Sequence, residues 1–406
     1  MHETGGPHPV TAAEVDRLAA NFDHLDPALD NDVLGQVYGR LLAGCPVAKT
    51  SAHGGFAVVS GYAQLVEVEK DTQRFSSARG VIHPPHSGRP PSIPIEFDGA
   101  EHLAYRKLFM EVLSVPRVRR IEVYLRDLVR LVLDTFATAP DPDFVQHVAV
   151  QIPVRAVGHL LGFEESANEQ LQAFATTMLE QAGTPAMTEA MKELDALAGV
   201  HLKERRDRPG DDYLTTLVET DFGGRPLTDD ELLNIIRTFV FAGFETTSRT
   251  TAGLVHHLVI HSELQERMRS EPDAIEGILD EGLRLFPPVH TMFRTVTTPT
   301  TLADTSLAEG ERLVLLYAAA NRDPRQFDDP DSFRPDRPNH RQQIAFGIGP
   351  HYCAGAPLAR AEIRILLEEL ATRPRLELIG EPRFLPHLMM GQMMGVDYLP
   401  LRFRGE

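Results

Sequence analysis

One stretch joins a reactive side chain to an unusually permissive backbone. The segment Ala345–Gly355, AFGIGPHYCAG, holds Cys353, one of two cysteines in the chain, among Gly347, Gly349 and Gly355. Glycine reaches backbone geometry closed to other residues and lets a ligand approach the main chain. The loop therefore reads as tightly folded and pressed against something. Pro357 follows and suits a first helical turn, so a helix is expected over 357–373. Cys353 then sits just before a helix N-terminus, where free N–H groups and the dipole favour an anion such as a thiolate. A thiolate binds soft or redox-active metals. Structural zinc needs about four ligands, and no second cysteine is near.

A second chemical signal is AGFETT, with Ala242, Gly243, Glu245 and Thr246, inside a long helix expected over 226–261. Glycine inside a helix costs about 1 kcal/mol against alanine, so Gly243 suggests that something needs room there. A mid-helix threonine can bond back to the preceding turn and loosen it. A third is EGLR, in which Glu281 and Arg284 share a helix face three residues apart.

Phe346, Gly347, Gly349, His351, Cys353 and Gly355 spell F-G-x-G-x-H-x-C-x-G, which resembles the haem-binding loop of the cytochrome P450 family. The resemblance spans about residue 20 to the end and is most similar to the bacterial, camphor-hydroxylase-like branch. It implies haem b (iron protoporphyrin IX) with Cys353 as the iron ligand. It implies water and dioxygen held beside Ala242 and Gly243, and protons relayed by Glu245 and Thr246. It implies that Glu281 and Arg284 pair with a downstream arginine, Arg337, in a network fixing the cysteine loop. It also implies that His102 and Arg106, four apart on one helix, join Arg294 and His351 in holding the haem propionates. The usual D-P-P-E-H before that pair is DGAEH here.

Several elements must position these groups. At 42% hydrophobic and 24% charged the chain reads as globular. Helix periodicity predicts helices over 101–113, 119–137, 144–161, 166–182 and 188–205. Thr228 with Glu231 forms a capping box at the start of the long helix. Strands are expected over 54–62, 293–303 and 311–316, with short β pieces over 374–404. Residues 80–94 read as a proline-rich loop, residues 11–100 otherwise as short apolar runs, and residues 1–10 as a loose tail. The fold class is mainly α with a minor β portion, in one domain over 1–406. The resemblance implies a triangular P450 fold with a long central helix over the haem.

By the family's layout the substrate walls include Thr238, Phe241, Ala242, Val289, His290, Thr291, Met292, Gln392 and Met393. These imply a neutral, mostly apolar organic substrate of terpenoid, aromatic or natural-product type. Met389, Met390, Met393 and Met394 read as either pocket or ordinary core. A net charge of −18 argues against nucleic-acid binding. Locally, Arg106, Lys107, Arg117, Arg119, Arg120, Arg126, Arg360 and Arg364 form a basic patch suited to an acidic ferredoxin, with a NAD(P)H-dependent ferredoxin reductase behind it. No secretory signal or membrane-spanning run is evident, so a cytoplasmic location with free thiols and no membrane contact is expected. The expected activity is a monooxygenase inserting one oxygen atom of O2. A peroxide-driven enzyme of the same fold and a non-catalytic haem sensor or carrier are the rivals.

Overall fold

The computed structural model describes residues 10–84, 89–181 and 184–405. The expected tail lies outside them apart from Val10, as does part of the 80–94 loop.

The N-terminal hundred residues hold more helix than their apolar runs suggested. Helices α1 (Ala12–Ala20), α2 (Asn31–Ala43) and α3 (Tyr62–Lys70) surround strands β1 (Val47–Thr50), β2 (Phe56–Val59) and β3 (Phe75–Ser76). Helix α2 carries Gly35 and Gly39, yet buries Val33, Leu34, Val37, Tyr38, Leu41 and Leu42. Packing of that face outweighs about 1 kcal/mol of propensity lost at each glycine. The Asp30 side chain caps it, accepting from the N–H groups of Asp32 and Val33.

Helices α4 (Gly99–Leu113), α5 (Val115–Arg120) and α6 (Glu122–Ala137) follow. The expected 119–137 helix starts later, because the chain turns at Ile121. A single π-helical turn at Val145–Ala149 leads into α7 (Gln151–Leu161). Helices α8 (Asn168–Gln181), α9 (Pro185–Asp207) and α10 (Tyr213–Glu219) then lead to α11 (Asp229–Ile260). The 32 residues of α11 span about 48 Å at 1.5 Å per residue. The capping box forms as expected: Glu231 N–H donates to Thr228 Oγ1 at 3.2 Å, and Thr228 N–H to Glu231 Oε2 at 2.7 Å.

Helices α12 (Ser262–Ser270) and α13 (Ala274–Leu285) precede strands β4 (Thr291–Val296), β5 (Thr300–Leu302), β6 (Thr305–Leu307) and β7 (Arg312–Leu316). Then come α14 (Tyr317–Ala320), α15 (Ala356–Ala371), and β8 (Leu376–Leu378), β9 (Arg383–Phe384), β10 (Val396–Tyr398) and β11 (Leu401–Phe403). The main sheet runs β1-β2-β7-β4-β3, with β2 and β7 parallel and its other neighbours antiparallel. The largest core cluster joins α4, α6–α11 and α15, and α11 crosses it. Among the described residues no helix is long and apolar enough to cross a membrane. Cys45 and Cys353 are both free.

Candidate active site

The cysteine loop closes on itself before α15 begins. Cys353 N–H donates to Phe346 O at 2.8 Å, and Tyr352 N–H to Gly349 O at 3.1 Å. Gly347 and Gly349 have φ of 65° and 76°, where glycine is favoured. A Cβ on Gly347 would lie 2.8 Å from Glu69 Oε2, and one on Gly349 would lie 2.7 Å from Glu69 O. The loop is therefore pressed against the end of α3. Gly355 has an ordinary φ of −79° and lies beside the sulfur, its Cβ position 3.7 Å from Cys353 Sγ.

Burial pushes the Cys353 thiol above its ordinary range, although the Gly355 and Ala356 N–H groups and Arg106 pull it down. The helix start alone thus does not ionise the sulfur. Metal ligation would have to supply the rest, since a ligating thiol binds deprotonated.

Cys353 lines a cavity of about 240 Å³ together with Phe346, Gly347 and Gly355. Helix α11 supplies Thr238, Ala242, Gly243 and Thr246 to the same cavity. The Thr246 hydroxyl donates to Ala242 O at 2.8 Å, that of Thr247 to Gly243 O at 3.3 Å and that of Ser248 to Phe244 O at 2.7 Å. These are the expected back-bonds, yet α11 continues unbroken through them. The room at Gly243 is taken by a neighbour: a Cβ there would meet Val157 Cγ2 of α7 at 2.7 Å.

Glu245 is not in the cavity wall. It is 2% exposed, and its Oε1 accepts from Arg249 Nε at 3.1 Å. Burial raises its pKa despite the pull of Arg249.

Charged groups gather at one edge of the cavity. His102, Arg106, Arg294 and His351 all line it. The His102 and His351 rings meet at a tilt of 37° with centroids 4.1 Å apart. Burial, then His351 and Arg106, lowers His102 to about 4, so it is a neutral donor at pH 7. His351 Nε2 lies 3.0 Å from Ser77 Oγ and 3.5 Å from Asp98 Oδ1. Arg106 donates to Tyr352 O at 2.5 Å and pairs with no carboxylate among the described residues. Its burial depresses its pKa, with Cys353 opposing. A cation turned into a cavity without a counter-charge is costly unless an anion joins it. This donor set fits the two carboxylates of a haem.

The same edge holds a residue the motifs did not reveal. Glu69 lines the cavity, is 2% exposed and forms an ion pair with Arg294. It also accepts from Ile348 N–H at 3.3 Å, tying the cysteine loop to α3. The available signal was an acid at a helix C-terminus, where the dipole disfavours it.

Glu281, Arg284 and Arg337 meet in a buried network. Glu281 Oε1 accepts from Arg284 Nε at 2.7 Å and from Arg337 Nε at 3.2 Å, and its Oε2 accepts from Arg334 N–H at 2.9 Å. All three side chains are at most 1% exposed. Burial alone would raise Glu281, but Arg284, the Arg334 N–H and Arg337 hold it below its ordinary value.

Of the expected substrate walls, Thr238, Ala242, Val289 and Met292 line the cavity. Five others do not. Phe241 is 41% exposed, outside the wall. His290 turns to the Tyr38 hydroxyl at 2.9 Å. The Thr291 hydroxyl donates to Gly391 O at 2.6 Å, and Gln392 Nε2 reaches Val81 O and Thr291 O at 3.4 Å. Met393 is buried and bridges Val289 and Met389 through the backbone. Met394 belongs to a core cluster with Met389 against it. The basic patch also shrinks. Arg126 pairs with Glu368 and Glu369, Arg360 with Asp280 and Glu276, and Arg364 with Glu122 and Glu368. Arg106 faces the cavity. Lys107, Arg117, Arg119 and Arg120 stay exposed, with no ion pair among the described residues.

The family model described as Cytochrome P450 matches residues 169–392. The erythromycin C-12 hydroxylase of Saccharopolyspora erythraea is 32% identical over 351 residues, covering 84% of this chain and 87% of the relative. The steroid C26-monooxygenase of Mycobacterium tuberculosis is 28% identical, covering 86% and 95%. The crystal structure of CYP108D1 from Novosphingobium aromaticivorans superposes with a TM-score of 0.84 at 28% identity, covering 98% and 100%. With a free cysteine presented by a glycine loop to a cavity edged with histidine and arginine donors, the chain belongs to the cytochrome P450 family and is a monooxygenase of it.

Proposed function

We propose that the chain, as one catalytic domain, inserts one oxygen atom of O2 into a C–H or C=C bond of a bulky, neutral, mostly apolar molecule. The carrying observation is that Cys353 and Thr246 line one cavity whose charged residues all lie at a single edge. Cys353 would hold the iron of haem b, and His102, Arg106, Arg294 and His351 its propionates. When bound, that group supplies dioxygen activation, which a thiolate ligand promotes by pushing electron density toward O–O cleavage.

The rest is work for this chain's residues. Among the described residues the remaining wall, from Phe109, Val157, Val289, Met292 and neighbours, offers no charge to a substrate. The relatives named for a steroid and for erythromycin support a bulky substrate. Glu245, paired with Arg249, is placed one residue from Thr246. Burial raises its pKa, the direction that suits a group exchanging a proton. Thr246 Oγ1 passes the proton into the cavity. Thr246→Ala should lower product formed per NAD(P)H by about tenfold or more while reductant is still consumed. Unchanged coupling in a product-to-NADPH assay would remove Thr246 from the relay.

Electrons would come from NAD(P)H through a reductase and a ferredoxin docking near Lys107, Arg117, Arg119 and Arg120. Exposed Leu103 and Val115 lie beside them in sequence. Arg117→Glu should slow reduction by an acidic ferredoxin by about tenfold at low salt, with the difference fading at high salt. Stopped-flow reduction rates equal in both proteins at low salt would rule out this docking face. A cytoplasmic location accords with two free cysteines.

A further inference from the structure

Away from the cavity, three ligand-type side chains converge beside the main sheet. Asp23 and His24 follow α1, and His53 lies in the turn between β1 and β2. One ligand atom from each of Asp23, His24 and His53 lies within 4.8 Å of the other two. Asp23 Oδ1 is 2.8 Å from His53 Nε2 and 4.0 Å from His24 Nδ1. The Leu25 N–H donates to the same oxygen at 2.9 Å and fixes the carboxylate.

His24 carries the argument. Its side chain is 1% exposed, and its Nδ1 has no hydrogen-bond partner among the described residues. Its Nε2 donates to His83 O at 2.5 Å. That bond places the proton on Nε2 and leaves a lone pair on Nδ1, turned toward Asp23 and His53. Buried polar atoms are nearly always partnered, so an orphan needs an explanation. Metal-binding histidines commonly donate their other N–H to a backbone carbonyl, as His24 does.

We propose that Asp23, His24 and His53 form a site for a divalent transition-metal ion, Zn²⁺ foremost, completed by water. Two imidazole nitrogens and one carboxylate oxygen match a three-ligand zinc site with an open position. Bonds of about 2.0–2.2 Å place tetrahedral ligands about 3.3 Å apart; an entering ion would replace the 2.8 Å hydrogen bond between His53 Nε2 and Asp23 Oδ1 and draw in His24 Nδ1, 4.0 Å from that oxygen. The Asp23 and His53 side chains are 29% and 27% exposed, so ion and water can enter from that side. The ion would tie the loop after α1 to the β1–β2 turn. Through the His83 carbonyl it would also steady the chain entering the 80–94 loop, which ends at Pro94 in the cavity wall. Its role is structural.

The test uses the haem-loaded enzyme, treated with a chelator, dialysed and titrated with Zn²⁺. One zinc per chain should bind at micromolar free metal, with a rise in Tm. Asp23→Asn and His53→Asn should each weaken binding at least tenfold and abolish the Tm rise. Asparagine suits His53 because it tolerates the φ of 50° found there. His261→Ala, at a separate pair of adjacent histidines with centroids 4.3 Å apart, should leave both unchanged. No zinc bound at about 100 μM free metal, or binding lost in His261→Ala but kept in the other two, overturns the proposal.

Discussion

Cys353→Ala is expected to leave a folded chain that has lost its thiolate signature and all monooxygenase turnover. The side chain lines the cavity and belongs to no core cluster among the described residues. The loop around it is fixed by main-chain bonds, Cys353 N–H to Phe346 O among them, which alanine keeps. The reduced, carbon monoxide-treated wild type should show the long-wavelength Soret band of a thiolate-ligated haem, and the variant should not. Cys353→Ser sharpens the result, because an oxygen of similar size should retain haem while shifting the band. A long-wavelength band persisting in Cys353→Ala would mean that another group holds the iron. Absence of haem from the wild type would leave His102, Arg106 and Arg294 as donors without an anion.

Glu281→Ala should cost about 3–5 kcal/mol, because it strands two guanidinium groups at most 1% exposed. With about 2.1 cal/mol/K of unfolding entropy per residue, that is a fall in Tm of about 4–6 °C for a chain of this length. Haem retention should fall with it, since Asn321, whose carbonyl accepts from Arg284, holds the Ile344 N–H at 2.8 Å just before the cysteine loop. Glu281→Gln should lose less, keeping one acceptor for Arg284. The measurement is the circular-dichroism melting point beside the haem-to-protein ratio. A Glu281→Ala protein melting within a degree of wild type and fully loaded with haem would show the network to be dispensable.

The site was legible where its residues are close in sequence. The cysteine loop, the Glu245–Thr246 pair and Glu281 with Arg284 each lie within a dozen residues, so spacing alone reports their geometry. Glu69 was not legible, because its partner Arg294 is 225 positions away. The misplaced wall residues fail for another reason. Layout places a segment near a cavity but does not aim its side chains. In β4, strand alternation sends Met292 and Arg294 to the cavity and Thr291 and Phe293 to the other face. Arg294 alone should have excluded Thr291. In the fold, the capped α11 was plain from its start signal and length. The short helices α1 to α3 were hidden by glycines and by brevity, since their stability comes from burial against the sheet rather than from their own sequence.

Between α14 and α15 the chain runs for more than thirty residues with only brief 3₁₀ turns, η-type, at His340–Gln342 and Gly349–His351. It is nevertheless held in place. Arg284 donates to the carbonyls of Asn321, Pro330 and Ser332, and Arg337 to those of Asp328, Asp329 and Ser332. These donors grip main chain, not side chains. At the gripped positions the segment can therefore change in side chain, but not in length. One inserted or deleted residue would move every carbonyl past its donor, and with them the sulfur those donors never touch.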